Sequence, residues 1–197
     1  MSKANKSNKA IKYRLYPNDE QKVMFAKTFG CCRFVYNQLL ALQKQRYKDG
    51  ESYLSKLKSN EFATRTLKKD YDFLKEIDKF AVSNAVFHLA DAYDRFFKKQ
   101  NHFPKFKSKR KSKKSYTTNF TNNNILIGKN VIKLPKVGMV KAVIHKLPKD
   151  DWKLKSVTVS QDSVGNYFAS VLFEYEQEDI PSVSKSSTNA IGLDYKS

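Results

Sequence analysis

The sequence predicts an α+β protein, on three observations. One β-friendly segment, Lys9 to Tyr16, stands alone near the start. Between Asp19 and Lys99, two long stretches carry apolar side chains at helical spacing. From Tyr116 to Tyr175 the pattern changes to short segments separated by turn residues. A strand separated from its companions by a helical block suggests a β-barrel with a helical insertion.

Each element has a local reason. Ile11, Tyr13, Leu15 and Tyr16 favour extended backbone, and Pro17 stops the strand. Asn18, with Gln21 three residues on, is a capping box that opens a helix from Asp19 to about Lys48. Phe25, Phe29, Cys32, Tyr36 and Leu39 line one face, and Val35 and Leu42 broaden it. Gly30 weakens its middle, which leaves one kinked helix or two, and Asp49-Gly50 ends it. A shorter helix is expected over about Asn60 to Lys69, with Tyr53 in the loop before it. The strongest helical stripe runs from Asp78 to Lys99 and holds Val82, Ala85, Val86, Leu89, Tyr93, Phe96 and Phe97. Phe103-Pro104 breaks it. Strands are then expected at Tyr116 to Phe120, Ile125 to Ile127, Val131 to Leu134 and Val137 to Val143. The clearest hairpin joins Lys155 to Gln161 with Asn166 to Tyr175 across Asp162-Ser-Val-Gly165. In it, Val157 and Val159, then Phe168, Ser170 and Leu172, form the alternation. Glu176 to Thr188 reads as a linker, and Asn189 to Asp194 as the start of another strand.

Charge narrows the function. Lys and Arg number 38 against 19 Asp and Glu, a formal net charge of +19. An excess of this size repels itself unless a polyanion balances it, which points to nucleic acid, with a basic ribosome-type protein as the plainer reading. No apolar run is long enough to span a membrane, and Met1 to Ala10 has no secretory signal. Adjacent Cys31 and Cys32 are neither a metal pair nor a disulfide framework, and read as buried thiols in a reducing cytoplasm. His88, His102 and His145 lack metal-ligand spacing.

Two segments carry candidate chemistry. The ten residues from Lys105 to Lys114 hold seven cations: Lys105, Lys107, Lys109, Arg110, Lys111, Lys113 and Lys114. Such a run neutralises phosphates and releases counterions, and its serines can donate to phosphate oxygens. Phe106 and Tyr116 are candidates for stacking on unpaired bases. The second segment is Ala190-Ile-Gly-Leu-Asp194, where a carboxylate ending a buried strand can hold Mg²⁺. A single carboxylate is not a two-metal site, and an Asp in this position is commonly a turn or cap.

The chain resembles the TnpB (OrfB) proteins of small insertion sequences, relatives of the compact CRISPR nucleases. The resemblance rests on Tyr13-Arg-Leu-Tyr-Pro17, Thr28-Phe-Gly-Cys-Cys-Arg-Phe-Val-Tyr-Asn37, Phe73-Leu-Lys-Glu-Ile-Asp-Lys-Phe-Ala81, Phe103-Pro-Lys-Phe-Lys107, Ile132-Lys-Leu-Pro-Lys136 with Gly138, Ser156-Val-Thr-Val-Ser160 and Ile191-Gly-Leu-Asp194. These occur in the family's order and run almost end to end.

The resemblance implies an RNA-guided DNA nuclease of transposon origin. Its expected plan is a wedge-type β-barrel with an inserted helical recognition lobe, followed by an RNase H-like (RuvC) domain. On this chain residues 1–17 would be a basic arm and the first wedge strand. Residues 18–101 would be the helical lobe, which carries an older helix-turn-helix transposase label. Residues 102–180 would complete the wedge, 181–188 would be a linker and 189–197 the start of RuvC. The implied partners are a guide RNA and double-stranded target DNA, with the protein reading a short flanking motif. Lys12 and Arg14 join the basic run as candidate contacts. Tyr53, Lys79, Ser83 and Thr121 occupy segments that face the flanking duplex in relatives. Asp194 matches the first RuvC aspartate and would be a Mg²⁺ ligand. The family's later RuvC carboxylates and its zinc-ribbon cysteines have no counterpart in these residues, and Tyr195 stands where many relatives have Gly. The expectation is a nucleic-acid-binding N-terminal portion of a nuclease that does not cut alone. The alternative is a naturally shortened, non-cleaving DNA- or RNA-binding regulator.

Overall fold

The computed structural model describes residues 5–177. The linker, the RuvC start with Asp194 and the first residues of the basic arm lie outside the described residues.

The first strand, β1 (Asn5–Tyr16), begins earlier than its β-friendly core and sits inside a seven-stranded sheet. The other strands are β2 (Lys114–Asn119), β3 (Leu126–Ile127), β4 (Val131–Leu134), β5 (Gly138–Val143), β6 (Lys153–Gln161) and β7 (Tyr167–Gln177). Their spatial order is β2-β6-β7-β1-β5-β4-β3, and every pairing is antiparallel. β1 pairs with β7 from Asn5↔Gln177 to Leu15↔Tyr167, and with β5 through Arg14↔Val143 to Tyr16↔Lys141. The segment isolated in sequence is therefore central in space. β2 and β3 form the two edges.

The period-2 pattern decides the faces. Ile11, Tyr13 and Leu15 of β1, Val157 and Val159 of β6, and Ala169, Val171 and Phe173 of β7 are buried on one side. This corrects the expected alternation of β7. Val157 pairs with Val171 and Val159 with Ala169, so Phe168, Ser170 and Leu172 point to the face opposite the core. The hairpin turn is held by Asp162, whose Oδ1 accepts from the backbone N–H of Val164 and of Asn166. Gly165, at φ +96°, takes the left-handed position of that turn.

Helix α1 (Asp19–Lys48) is one continuous helix of 30 residues that passes through Gly30 without a break. Its packing face holds a run of buried side chains from Phe25 to Gln43, and tertiary burial overrides the propensity cost of one glycine. The Asn18–Gln21 capping box is present in both directions. The expected middle helix starts sooner, at α2 (Lys56–Glu61), because Ser55 caps it. It then passes through a π-helical turn, Phe62–Leu67, to α3 (Lys68–Asp70). Helix α4 (Lys79–Phe97) is capped by Asp78, whose Oδ2 accepts from the Ala81 N–H and, at 2.6 Å, from the Thr118 hydroxyl of β2. Helix capping and helix–sheet docking thus share one buried carboxylate.

One apolar core joins the helices to the sheet. The Phe25 ring lies 5.4 Å from that of Tyr167 and 6.3 Å from that of Tyr116, and Phe29 lies 5.9 Å from Tyr116. Burying a side chain of this size contributes about 1.5–3 kcal/mol. Asn84 of α4 donates to the Thr117 carbonyl at 2.9 Å, covering part of the β2 edge. Cys31 and Cys32 are both buried thiols. Burial pushes Cys32 up to about 12, and its Sγ donates to the Ala81 carbonyl.

Tyr116 departs from its expected role. It is 3% exposed, because β2 places Tyr116 and Thr118 inward and Ser115 and Thr117 outward. Its ring completes the cluster with Phe25 and Phe29, so no base can stack on it. Its hydroxyl is buried without a hydrogen-bond partner in the described residues, and burial raises its pKa.

Candidate nucleic-acid interface

The face of the sheet opposite the core is built in rows. One row reads Ser115, Ser160, Phe168, Arg14 across β2, β6, β7 and β1, and the next reads Thr117, Thr158, Ser170, Lys12. The hydroxyl side chains supply donors at the β2 end, and cations stand at the β1 end, about 14 Å away at the usual strand spacing. The Lys12 ammonium lies 4.2 Å from the centre of the Phe168 ring, and the Arg14 guanidinium lies 5.0 Å from it and 5.5 Å from Tyr16. Arg14 also donates to Asn166 Oδ1, and Asn166 Nδ2 donates in turn to Asp162. The hairpin turn therefore orients the guanidinium. Its Nε is buried without a hydrogen-bond partner among the described residues.

The basic run reaches this face at Lys114, whose ammonium donates to Gln161 at 3.1 Å. It is anchored, not freely solvated, at its centre. Asn37 of α1 exchanges two hydrogen bonds with the Lys107 backbone, and the Lys107 ammonium lies 3.9 Å over the Tyr36 ring. Loss of solvent around Lys107 lowers its pKa. A turn at Ser108–Ser112, held by both serine hydroxyls, carries exposed Lys109, Arg110 and Lys111 outward. Lys107, Lys113, Lys114, Arg33 and His88 line a small pocket between this run and the helices. Lys105 is exposed just before the anchor.

Lys79 and Thr121 come together. Both line a groove between the N-terminal end of α4 and the loops after β2 and β4, with Lys68, Lys75 and Lys136 beside them. Ser83 lies one helical turn along α4 from Lys79. Tyr53 is not part of that groove. Its ring packs against Tyr93 and Phe97 at the far end of α4, about 20 Å from Lys79 along the helix. Burial, with Asp94 nearby, pushes its hydroxyl up to about 12.

The candidate cations, like many others on the surface, are left without carboxylate partners among the described residues. The salt bridges among the described residues are made by Lys6, Lys22, Lys27, Arg46, Lys56, Arg65, Lys75 and Lys155. Lys12, Arg14, Lys79 and the cations of 105–114 do not take part in them. Sequence reasoning missed Phe168, Arg33 and Lys136. Among the described residues, no group of three or more His, Cys, Asp or Glu side chains could hold a metal, and no helix is long and apolar enough to cross a membrane.

A basic sheet face with uncompensated cations defines a nucleic-acid-binding class of protein, and comparison with known proteins agrees. A family model described as the helix-turn-helix domain of the IS605 OrfB group matches residues 5–52, which here hold β1 and the single helix α1. The chain is 30% identical over 188 residues to a candidate RNA-guided DNA endonuclease of Streptomyces pristinaespiralis, covering 94% of this chain and 45% of that protein. It is 30% identical over 192 residues to the candidate RNA-guided DNA endonuclease InsQ of Escherichia coli K12, covering 94% and 44%. It is also 32% identical over 111 residues to the virulence protein VsdF of Salmonella dublin, covering 51% of this chain and 93% of that protein. The chain belongs to the TnpB/OrfB family of transposon-associated proteins. It spans less than half the length of the two nucleases it matches.

Proposed function

We propose that this chain binds a guide RNA and double-stranded target DNA as the N-terminal portion of a TnpB-like RNA-guided DNA endonuclease. In this reading the open seven-stranded sheet, with β2 and β3 at its edges, is the wedge, and α1 to α4 form the inserted recognition lobe. The observation that carries it is the clustering of cations: seven in the ten residues from Lys105 to Lys114, Lys12 and Arg14 on the sheet face, and Lys68, Lys79 and Lys136 in the α4 groove. Phosphates are the natural counter-charge for such a set. The sheet face, with Lys12, Arg14 and the hydroxyl rows, suits a sugar–phosphate backbone. The groove lined by Lys79 and Thr121, with Ser83 one turn along α4, suits the flanking duplex.

Asp194 would be the first Mg²⁺ ligand of the nuclease domain. It lies outside the described residues.

The test is co-expression of the chain with the genomic DNA flanking its gene, followed by purification and sequencing of retained RNA. One discrete transcript enriched from that flank is the expected result. Retention of bulk cellular RNA in proportion to abundance would refute guide binding and leave a non-specific polyanion binder.

A further inference from the structure

The far end of the helical lobe is unusual for a surface. The C-terminal turns of α1 and α4 and the Phe103 segment enclose an open cleft of about 650 Å³, within the roughly 300–1,000 Å³ typical of ligand sites. Its walls are aromatic. The rings of Tyr53 and Phe97 meet at 82°, and those of Tyr93 and Phe103 at 89°. Tyr47 on the rim is 84% exposed and Phe97 is 63% exposed. Most of these rings meet edge to face, with Tyr93 and Phe97 stacked at 24°, and Tyr47 and Phe97 are left facing water. Such a patch marks a binding surface.

The rim is cationic. Lys44 and Lys48 line the cleft, and Lys98 and Lys99 follow Phe97 directly. Of the nearby carboxylates, Glu51 is paired with Arg46, Asp49 accepts from Gln45, and Asp94 stands near Tyr53. The Lys44 ammonium lies 5.5 Å from the Phe103 ring centre and 4.8 Å from that of Phe106, which is 53% exposed at the head of the basic run. The cleft is thus continuous with the run, and a strand laid along the run arrives at its mouth.

We infer that this cleft receives an unpaired base of a bound RNA, with Tyr47 and Phe97 stacking on it and Lys44 and Lys48 holding the adjoining phosphates. Apolar aromatic walls inside a ring of cations match a flat base on a charged backbone better than they match an apolar helix. RNA is the favoured source, because its loops and bulges offer splayed bases that an intact DNA duplex does not. The inference rests on the reading of the chain as a guide-RNA binder. It adds a site that the family resemblance does not assign, and it gives Tyr53 a place in the cleft wall instead of at the flanking duplex.

The experiment uses the whole chain and its variants Tyr47→Ser and Phe97→Ser, which keep every charge. Binding is measured by fluorescence anisotropy to a short unstructured RNA, the same sequence as single-stranded DNA, and a fully paired duplex, with 2-aminopurine in the RNA as a stacking reporter. Each variant is expected to weaken RNA binding on the order of tenfold and to lose 2-aminopurine quenching, with duplex affinity and salt slope unchanged. Circular dichroism confirms folding, and Tyr47→Ser is the decisive variant because its ring is almost wholly in solvent. Wild-type RNA affinity in both variants, with the wild type still binding RNA, overturns the cleft and leaves the general reading standing. Equal binding and equal weakening on single-stranded DNA overturns the RNA assignment. Self-association of the wild type that either variant abolishes, with RNA affinity unchanged, gives the cleft to a second copy and also overturns it. A wild type that binds no polynucleotide defeats the proposed function first.

Discussion

Asn37 and Lys107 exchange two hydrogen bonds, 2.9 Å from the Asn37 Nδ2 to the Lys107 carbonyl and 2.8 Å from the Lys107 N–H to the Asn37 Oδ1. The pair fastens the centre of the basic run to α1. Asn37→Ala removes the partners of the part-buried Lys107 N–H and carbonyl, and a loss of about 1–3 kcal/mol is expected in urea denaturation. Faster amide exchange from Lys107 to Ser112 should accompany it. An unchanged midpoint would show that the run is held by something else.

Lys109, Arg110 and Lys111 stand on the outer side of that anchored turn and make no salt bridge among the described residues. Replacing all three by Ala should leave the thermal midpoint in place. It should also lower the slope of log affinity against log salt by about 0.7–0.9 for each phosphate no longer neutralised. Titrations at several salt concentrations read this directly, and an unaltered slope would remove these residues from the interface.

Asp78 serves α4 and β2 together. Asp78→Ala loses the cap and the 2.6 Å bond from Thr118, for a combined cost of about 2–4 kcal/mol. Asp78→Asn can still accept both bonds and should recover more than half of that loss. Chemical denaturation of the two variants separates the contributions.

Much of this architecture was legible because local signals agreed with the global fold. The Asn18–Gln21 box, the α4 stripe and the β4 bounds follow from short-range chemistry and are present in the fold. The departures at Tyr116 and in the β7 alternation, and the distance between Tyr53 and Lys79, come from tertiary placement. Tyr116 and Phe168 depend on which parity of a strand faces the core, and that parity is set by pairing partners distant in sequence. Tyr53 and Lys79 lie in segments close in the chain, yet α4 separates them by most of its length. The α4 groove needed Lys68, Lys136 and Thr121 from three parts of the sequence, so spacing alone could not reveal it.

Gly30 offers a test of helix continuity. A Cβ added there meets nothing within 4 Å, and its backbone is helical. Gly30→Ala should therefore stabilise the protein by about 0.5–1 kcal/mol, with no loss of nucleic-acid affinity. A drop in affinity at raised stability would mean that α1 must bend at this point to bind.

His88 sets an acid response. Desolvation, then the Lys107 charge, lowers its folded pKa from the usual 6.5. The folded protein thus holds fewer protons than the unfolded chain between the two values, so stability is intact above 6.5 and is lost as pH falls through the folded value. Nucleic-acid affinity should move the opposite way, since protonation adds a cation beside Lys107. His88→Asn should flatten both profiles in a pH series of melting and binding curves.

The unbroken course of α1 makes it a ruler. Phe25, seated against the sheet, and Tyr47, at the aromatic cleft, are about 33 Å apart along its axis. A continuous helix of this length fixes the distance between the core of the sheet and the aromatic cleft, so neither end can approach the other without breaking the helix.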